Sequence, residues 1–205
     1  MRREEALQKL IELKGSDLVE LAKCYNIDIL YKHEDGRITK NKGWAGIVIE
    51  RCLGLPFNSA QAPNFGSWEL KLVSLRYLKS GMLVVKETMQ ITMLNDDYII
   101  ETPFEESHLL TKMRKMLVVS RIWYNKMEPK SEFYDVVSFN LEDNSDIYNQ
   151  VRDDYNEARR ALIRGGVLKS EMGCYIQPRT KGRGHGSTSR AFYARRNLLT
   201  RIILG

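Results

Sequence analysis

The chain has few cysteines and no long apolar run, and each absence excludes a class of protein. Its 205 residues include three cysteines, Cys24, Cys52 and Cys174, too widely spaced for a disulfide framework or a CxxC metal motif. We expect three buried thiols in a reducing compartment. No apolar stretch approaches the roughly 20 residues of a membrane-spanning helix, and the opening MRREEALQKL lacks the apolar centre of a signal peptide. We therefore expect a cytoplasmic protein with no membrane partner.

Acidic residues are also absent from one part of the chain. Between Arg179 and Arg201 there is no Asp or Glu but seven Lys and Arg residues, and the formal net charge of the whole chain is +6. A cationic loop with several glycines can enter a groove and follow phosphates, although most charge runs are simply solvated surface. An RNA-binding module is disfavoured, because no aromatic stacking pattern accompanies the charge.

The hydrophobic pattern predicts interspersed helices and strands, and the apolar fraction of 43% is enough for a buried core. This arrangement indicates an α/β or α+β protein with a mixed sheet. Predicted helices cover two segments before residue 25, then 43–53, 105–115, 146–164 and the C-terminal residues. The first predicted strand begins at Ser67 and forms a hairpin with a second strand over 82–94. Further predicted strands cover 117–124, 132–139, 174–178 and 191–193.

The residues that carry the most chemistry are Glu50, Glu69 and Lys71. Glu69 and Lys71 are two apart on a predicted strand, so their side chains point the same way. A carboxylate there can hold a hard cation through oxygen, and a lysine can orient or deprotonate a water molecule. Glu50 lies on an otherwise apolar helix, where a half-buried acid needs a partner or a metal. The alternative is an exposed strand edge with a weak ion pair.

Several ordered motifs resemble one family. KNKGWAGIVIERCLG, APNFGSWELK and KETMQITML resemble the MutH-type DNA endonucleases, which comprise a mismatch-repair nicking enzyme and related restriction endonucleases that cut at GATC. EESHLLTKMRK, YIQPRTKG and SRAFYARRNLL continue the resemblance to the C-terminus. It implies a restriction-endonuclease-like α/β fold, with a mixed central sheet flanked by helices. It also implies one domain whose two lobes, about 1–120 for catalysis and about 121–205 for reading DNA, flank a DNA cleft.

The resemblance also implies roles for individual residues. The implied catalytic residues are Glu50, Asn64, Glu69, Lys71 and Lys112. The implied ligands of Mg²⁺, for which Mn²⁺ substitutes, are Glu50, Asn64, Glu69 and Leu70. The implied DNA contacts are Lys42, Gly43, Arg179, Lys181, Arg183, Arg190, Tyr193 and Arg195.

The sequence departs from the family pattern at Asn64, where the family has aspartate. An amide has nearly the shape of a carboxylate but offers a neutral oxygen and an NH2 donor. Losing one anionic ligand weakens divalent-metal binding, so we expect this chain to bind DNA but to cut it poorly. Both an engineered substitution and a natural variant fit this residue.

The resemblance predicts a sequence-specific, metal-dependent endonuclease of the restriction class acting on double-stranded DNA with GATC sites. One alternative is a repair enzyme that nicks hemimethylated GATC with a MutL-type activator. Another is a non-catalytic DNA-binding protein. A monomer and a DNA-induced dimer both fit the sequence.

Overall fold

A computed structural model describes residues 1–54, 67–181 and 188–205. The chain forms two compact units. Unit 1 comprises Met1–Ser59, Lys71–Lys86 and Val118–Val136, and unit 2 comprises Ala60–Leu70, Glu87–Leu117 and Val137–Gly205. The predicted lobes at about 1–120 and 121–205, and a cleft for DNA, stay predictions.

Helices and strands alternate along the described residues, which confirms the predicted α/β class. The helices are α1 (Arg3–Glu12), α2 (Leu18–Cys24), α3 (Trp44–Cys52), α4 (Asp96–Glu101), α5 (His108–Arg114), α6 (Ser145–Ile163) and α7 (Arg196–Ile203). The strands are β1 (Leu30–Lys32), β2 (Ile38–Lys40), β3 (Glu69–Tyr77), β4 (Leu83–Val85), β5 (Met89–Leu94), β6 (Lys115–Ile122), β7 (Phe133–Asn140), β8 (Ile176–Thr180) and β9 (Arg190–Ala194).

The strands form separate sheets. Strands β1 and β2 make a two-stranded hairpin, a four-stranded sheet has the order β4-β3-β6-β7, and a three-stranded sheet has the order β5-β9-β8. Strand β6 has the sequence KMLVVSRI and is buried at every position after Lys115. A continuous buried run is typical of a strand with neighbours on both sides and layers on both faces, and β6 lies between β3 and β7.

The predicted strand over 82–94 is wrong in one respect, because it is two strands in different sheets. Residues Leu83–Val85 pair with β3, and the N–H of Lys86 still donates to the carbonyl of Ser74. The ladder then stops, and Met89–Leu94 pairs with β9. Alternation of apolar residues identifies an extended segment but does not show which strand that segment pairs with. The sequence pattern therefore does not reveal the break at 86–88.

The N-terminal helices of unit 1 agree with the prediction of two helices before residue 25. Leu10 and Ala6 of α1 are fully buried, and their spacing of four residues places them on one face of the helix. Helix α2 is capped by Asp17, whose carboxylate accepts from the N–H of Val19. The same Asp17 oxygen also accepts from the N–H of Ser131, so it serves two segments.

The expectation of three buried thiols is also wrong. Cys24 and Cys174 are exposed and Cys52 is half-buried. Burial raises the pKa of the Cys52 thiol, which makes this cysteine a weak nucleophile at neutral pH. No helix in the described ranges is both long and apolar enough to cross a membrane.

In unit 2, a buried carboxylate on α6 fixes the start of β8. Asp154 is 5% exposed and accepts hydrogen bonds from the main-chain N–H groups of Cys174, Tyr175 and Ile176 at 2.8, 2.6 and 2.9 Å. Gly173 precedes them with φ +75°, and a Cβ there would lie 1.9 Å from the carbonyl oxygen of Ile176. The strand that carries Arg179 therefore begins at a position set by α6.

We expect Asp154→Ala to lower the free energy of unfolding by about 3 kcal/mol, because three main-chain donors lose a charged acceptor. Urea unfolding followed by circular dichroism measures this loss. Asp153→Ala is the matched control, since the adjacent Asp153 side chain is 64% exposed. Equal stability of the two variants would contradict the role of Asp154.

Candidate functional site

Two of the predicted site residues form a buried ion pair within unit 2. Glu69 is the first residue of β3, and Lys112 lies in the last turn of α5. The Nζ of Lys112 donates to Oε1 of Glu69 at 3.3 Å, and the side chains are 10% and 1% exposed respectively. Taking two charges out of water costs several kcal/mol per ion, and apolar residues often stabilise such a place as well or better. A functional reason therefore explains the pair better than stability does.

Helix α5 holds Lys112 by a short capped turn. The hydroxyl of Ser107 accepts from the N–H of Leu110 at 3.1 Å and donates to the carbonyl of Phe104 at 2.7 Å. Leu109, Leu110 and Met113 are buried, so the helix is surrounded by protein over most of its surface. The lysine side chain consequently stays inside, where it meets Glu69.

The alternative of an exposed strand edge is excluded for Glu69. On the same side of β3 lie Lys71, Val73 and Leu75, of which Val73 and Leu75 are 2% and 0% exposed. Lys71 is half-buried. Glu69 thus lies at the start of a largely apolar face, where an ionised carboxylate needs charged or hydrogen-bonding neighbours.

Unit 1 holds the other described residues of the predicted catalytic set. Helix α3 buries Trp44, Ala45, Val48 and Ile49 and carries the half-buried Glu50 in its last turn. Just before the helix, the predicted DNA contacts Lys42 and Gly43 are exposed, and Gly43 is the N-cap. Glu50 and Lys71 therefore belong to unit 1, and Glu69, Leu70 and Lys112 to unit 2.

Two of the predicted site residues, Asn64 and Arg183, lie outside the described residues. Within the described ranges, no group of three or more His, Cys, Asp or Glu side chains gathers as a metal-binding cluster. The predicted ligand set is of another kind, since it joins two carboxylates to the amide of Asn64 and to Leu70. These groups offer oxygen donors, which is the chemistry that Mg²⁺ accepts.

Several predicted DNA contacts from the basic segment between Arg179 and Arg201 lie in unit 2. Arg179 is exposed, donates to the hydroxyl of Thr88 at 3.2 Å, and lies over the ring of Tyr193 at 5.6 Å from guanidinium carbon to ring centroid. The hydroxyl of Tyr193 donates to Gln90 at 3.5 Å. Lys181 is exposed. The structure thus brings Arg179 and Tyr193 together on the β5-β9-β8 sheet.

The remaining two arginines of the predicted set have partners in unit 2. Arg190 forms an ion pair with Asp96, and Arg195 donates to the carbonyls of Ser170 and Met172 at 2.7 and 2.9 Å. The hydrogen bonds of Arg195 hold the loop before β8, and the ion pair of Arg190 joins β9 to α4. Contact of either arginine with DNA stays a prediction.

A cavity of about 350 Å³ opens beside Arg179 in unit 2. Its lining is mostly polar. The lining residues are Leu168, Lys169, Ser170, Glu171, Pro178, Arg179, Thr180 and Arg190. Lys169, Arg179 and Arg190 line this opening beside one carboxylate, that of Glu171, and Arg190 is already paired with Asp96.

Known proteins match this chain over a large part of its length. The family described as DNA mismatch repair enzyme MutH matches residues 53–154, a range that includes Glu69 and Lys112. The DNA mismatch repair protein MutH of Actinobacillus pleuropneumoniae serotype 5b (strain L20) is 24% identical over 190 residues, which are 92% of this chain and 80% of that protein. The protein of the same name from Haemophilus ducreyi (strain 35000HP) is 25% identical over 189 residues, 91% of this chain and 80% of that protein. These similarities support a MutH-type family for the chain.

Sequence reasoning also missed a buried carboxylate in unit 1, that of Glu128. Glu128 of unit 1 is 2% exposed. Its carboxylate accepts two hydrogen bonds of 3.1 Å from the guanidinium of Arg121 and one of 2.6 Å from Nε1 of Trp44. It also forms an ion pair with Lys40. In the sequence it stands among polar residues of a loop, and its donors lie 7, 84 and 88 residues away. Only the KGW motif, through Trp44, pointed to this place.

We expect Glu128 to make the stability of the protein acid-sensitive. Burial raises the pKa of Glu128, but the hydrogen bonds from Arg121 and Lys40 outweigh burial and hold the pKa below its ordinary value of 4.5. A carboxylate with a lowered pKa stabilises the fold above its unfolded pKa, and this contribution is lost as the pH falls through the folded pKa. Urea midpoints between about pH 6 and about pH 3 should therefore fall more steeply in the parent than in Glu128→Gln. Parallel curves would contradict this prediction; Glu132→Gln, in the same loop, is the control.

Proposed function

We propose that the chain is a sequence-specific, magnesium-dependent DNA endonuclease of the restriction class, impaired as written by Asn64. The observation that carries the proposal is the buried ion pair of Glu69 and Lys112, in a chain similar to the MutH family. A functional carboxylate buried beside a lysine is an arrangement that a DNA-binding module without chemistry does not need.

The proposed roles follow from the chemistry of each side chain. Glu50, Asn64 and Glu69, with Leu70, would hold Mg²⁺ through oxygen. When bound, the cation would supply an activated water molecule and neutralise charge on the phosphate. Lys71 orients the attacking water or takes its proton, and Lys112 fixes the carboxylate of Glu69 in one orientation.

Recognition of DNA belongs to the exposed cationic residues. Arg179 and Lys181 can bind guanine through its O6 and N7 atoms in the major groove, and Arg183 can contact phosphates from the same loop. Tyr193, which lies beneath the guanidinium of Arg179, is the residue that we propose to be near the adenine of GATC. Lys42 and Gly43 contact the backbone.

The experiment that tests this function uses the Asn64→Asp protein with supercoiled plasmid, Mg²⁺ and no other protein. Formation of linear product supports a restriction endonuclease if its amount differs between unmethylated and GATC-methylated plasmid, in either direction. A chain that binds the plasmid but leaves it supercoiled, both alone and with a MutL-type activator, supports the non-catalytic DNA-binding alternative, which the amide at Asn64 suggests.

A second candidate is a repair enzyme that nicks hemimethylated GATC, because the relatives carry the name DNA mismatch repair protein MutH. The same plasmid separates the two candidates. A repair enzyme would give nicked circles, and only when a MutL-type activator is added.

A further inference from the structure

The buried carboxylate of Glu128 holds both ends of a short exposed segment of unit 1. Lys40 ends β2 and Trp44 begins α3, and both donate to Glu128, Lys40 to Oε1 and Trp44 to Oε2. Between them lie Asn41, Lys42 and Gly43. A single side chain thus ties down the chain on either side of these three residues.

The segment is also fixed from within by Asn41. Its main-chain N–H donates to the carbonyl of Ile29 at 3.0 Å, and its side-chain amide donates to the carbonyl of Asp28 at 3.0 Å. Its Oδ1 accepts from the N–H of Gly43 at 3.2 Å. Lys42 therefore carries an exposed side chain in a turn in which the residues on either side, Asn41 and Gly43, are both hydrogen-bonded.

The network around Glu128 is not what stability alone would select. Glu128 has a left-handed main chain with φ +45°, a conformation that costs energy in a residue other than glycine. Arg121 is 6% exposed, and its Nε has no hydrogen-bond partner in the described part of the chain. A buried ion pair of this kind defines geometry more than it stabilises the fold.

We propose that Glu128 is a positioning residue for DNA binding, which holds Lys40 and Trp44 so that the Lys42–Gly43 turn meets a DNA phosphate in one conformation. The inference rests on the proposed function, in which Lys42 contacts DNA. Arg121 serves the same purpose, because it binds Glu128 through two nitrogens and lies over the ring of Trp44, 5.2 Å from its centroid.

The test measures binding of a fluorescent GATC duplex by the full chain as written, over a range of salt concentrations. Lys42→Ala should weaken binding and reduce the slope of log K against log salt by about one, as expected for one lost phosphate contact. Glu128→Gln should weaken binding about tenfold and reduce the slope in the same way. Glu132→Gln, a substitution in the same loop, should leave binding unchanged.

A double substitution separates positioning from general damage. If Glu128 acts through Lys42, Glu128→Gln should cause no further loss of affinity in a Lys42→Ala chain. Should Glu128→Gln fail to fold, Trp44→Phe replaces it, because phenylalanine keeps an aromatic ring at this buried position and removes the N–H donor together with part of the indole. We expect Trp44→Phe to reduce DNA affinity about threefold in the unmodified chain. It should cause no further reduction when Lys42 is alanine.

The outcomes distinguish the inference from the function on which it rests. If the unmodified chain binds no duplex DNA, both fail. If Lys42→Ala weakens binding but folded Glu128→Gln and Trp44→Phe do not, the positioning role alone is overturned. The positioning role is also overturned if Glu128→Gln and Trp44→Phe reduce DNA affinity as much in the Lys42→Ala chain as in the unmodified chain.

Discussion

Asn64→Asp should increase the rate of plasmid cleavage by at least about a hundredfold, since a lost anionic ligand removes several kcal/mol of charge stabilisation and each 1.4 kcal/mol is a factor of ten. The substitution restores a negative oxygen donor of nearly unchanged shape, so DNA binding should change little. The measurement is single-turnover cleavage of a supercoiled GATC plasmid with Mg²⁺, beside a binding curve taken with Ca²⁺.

Asn58→Asp is the matched control, because it makes the same chemical change six residues earlier in the chain. Its cleavage rate should equal that of the parent. Equal rates for Asn64→Asp and the parent would remove Asn64 from the site and reopen the non-catalytic alternative.

Lys112→Met should reduce cleavage by the Asn64→Asp protein about a hundredfold, with DNA affinity nearly unchanged. Lys112 is 8% exposed and donates to Glu69 at 3.3 Å. Without it, the buried carboxylate loses its lysine partner, which should also cost about 3 kcal/mol of stability. Cleavage is therefore compared at a temperature where unfolding curves show both proteins to be folded.

Lys115→Met is the control for Lys112, because Lys115 is exposed and only three residues further along the chain. It should cleave at the rate of the Asn64→Asp protein. If Lys112→Met loses stability but no activity, the ion pair with Glu69 is structural and Lys112 leaves the proposed site.

Local patterns predicted the segments whose structure depends on their own sequence. Helix α6 was expected at 146–164 and spans Ser145–Ile163, since a long amphipathic period ends at glycines. Strand β6 was expected at 117–124 and spans Lys115–Ile122. The hairpin of β1 and β2 was overlooked, although Asp35-Gly36 is a common turn pair and Gly36 does adopt φ +80°.

Burial of charged residues could not be predicted, because it depends on partners distant in the sequence. Glu69 and Lys112 are 43 residues apart, and only the family resemblance joined them. Glu128 lies in no such motif, and of its partners only Trp44 does, so the contacts of Glu128 with Arg121 and Trp44 became visible only in the structure. Pairing of β5 with β9 instead of β3 was hidden for the same reason, since strand choice is a property of the whole fold.

Cleavage of unmethylated GATC plasmid by the Asn64→Asp protein, with Mg²⁺ or with EDTA, tests the central proposal most directly. We predict linear DNA with Mg²⁺, none with EDTA, and almost none with Mg²⁺ when Glu69 is also changed to glutamine. Bound but intact plasmid with Mg²⁺, or equal cutting after Glu69→Gln, would contradict it.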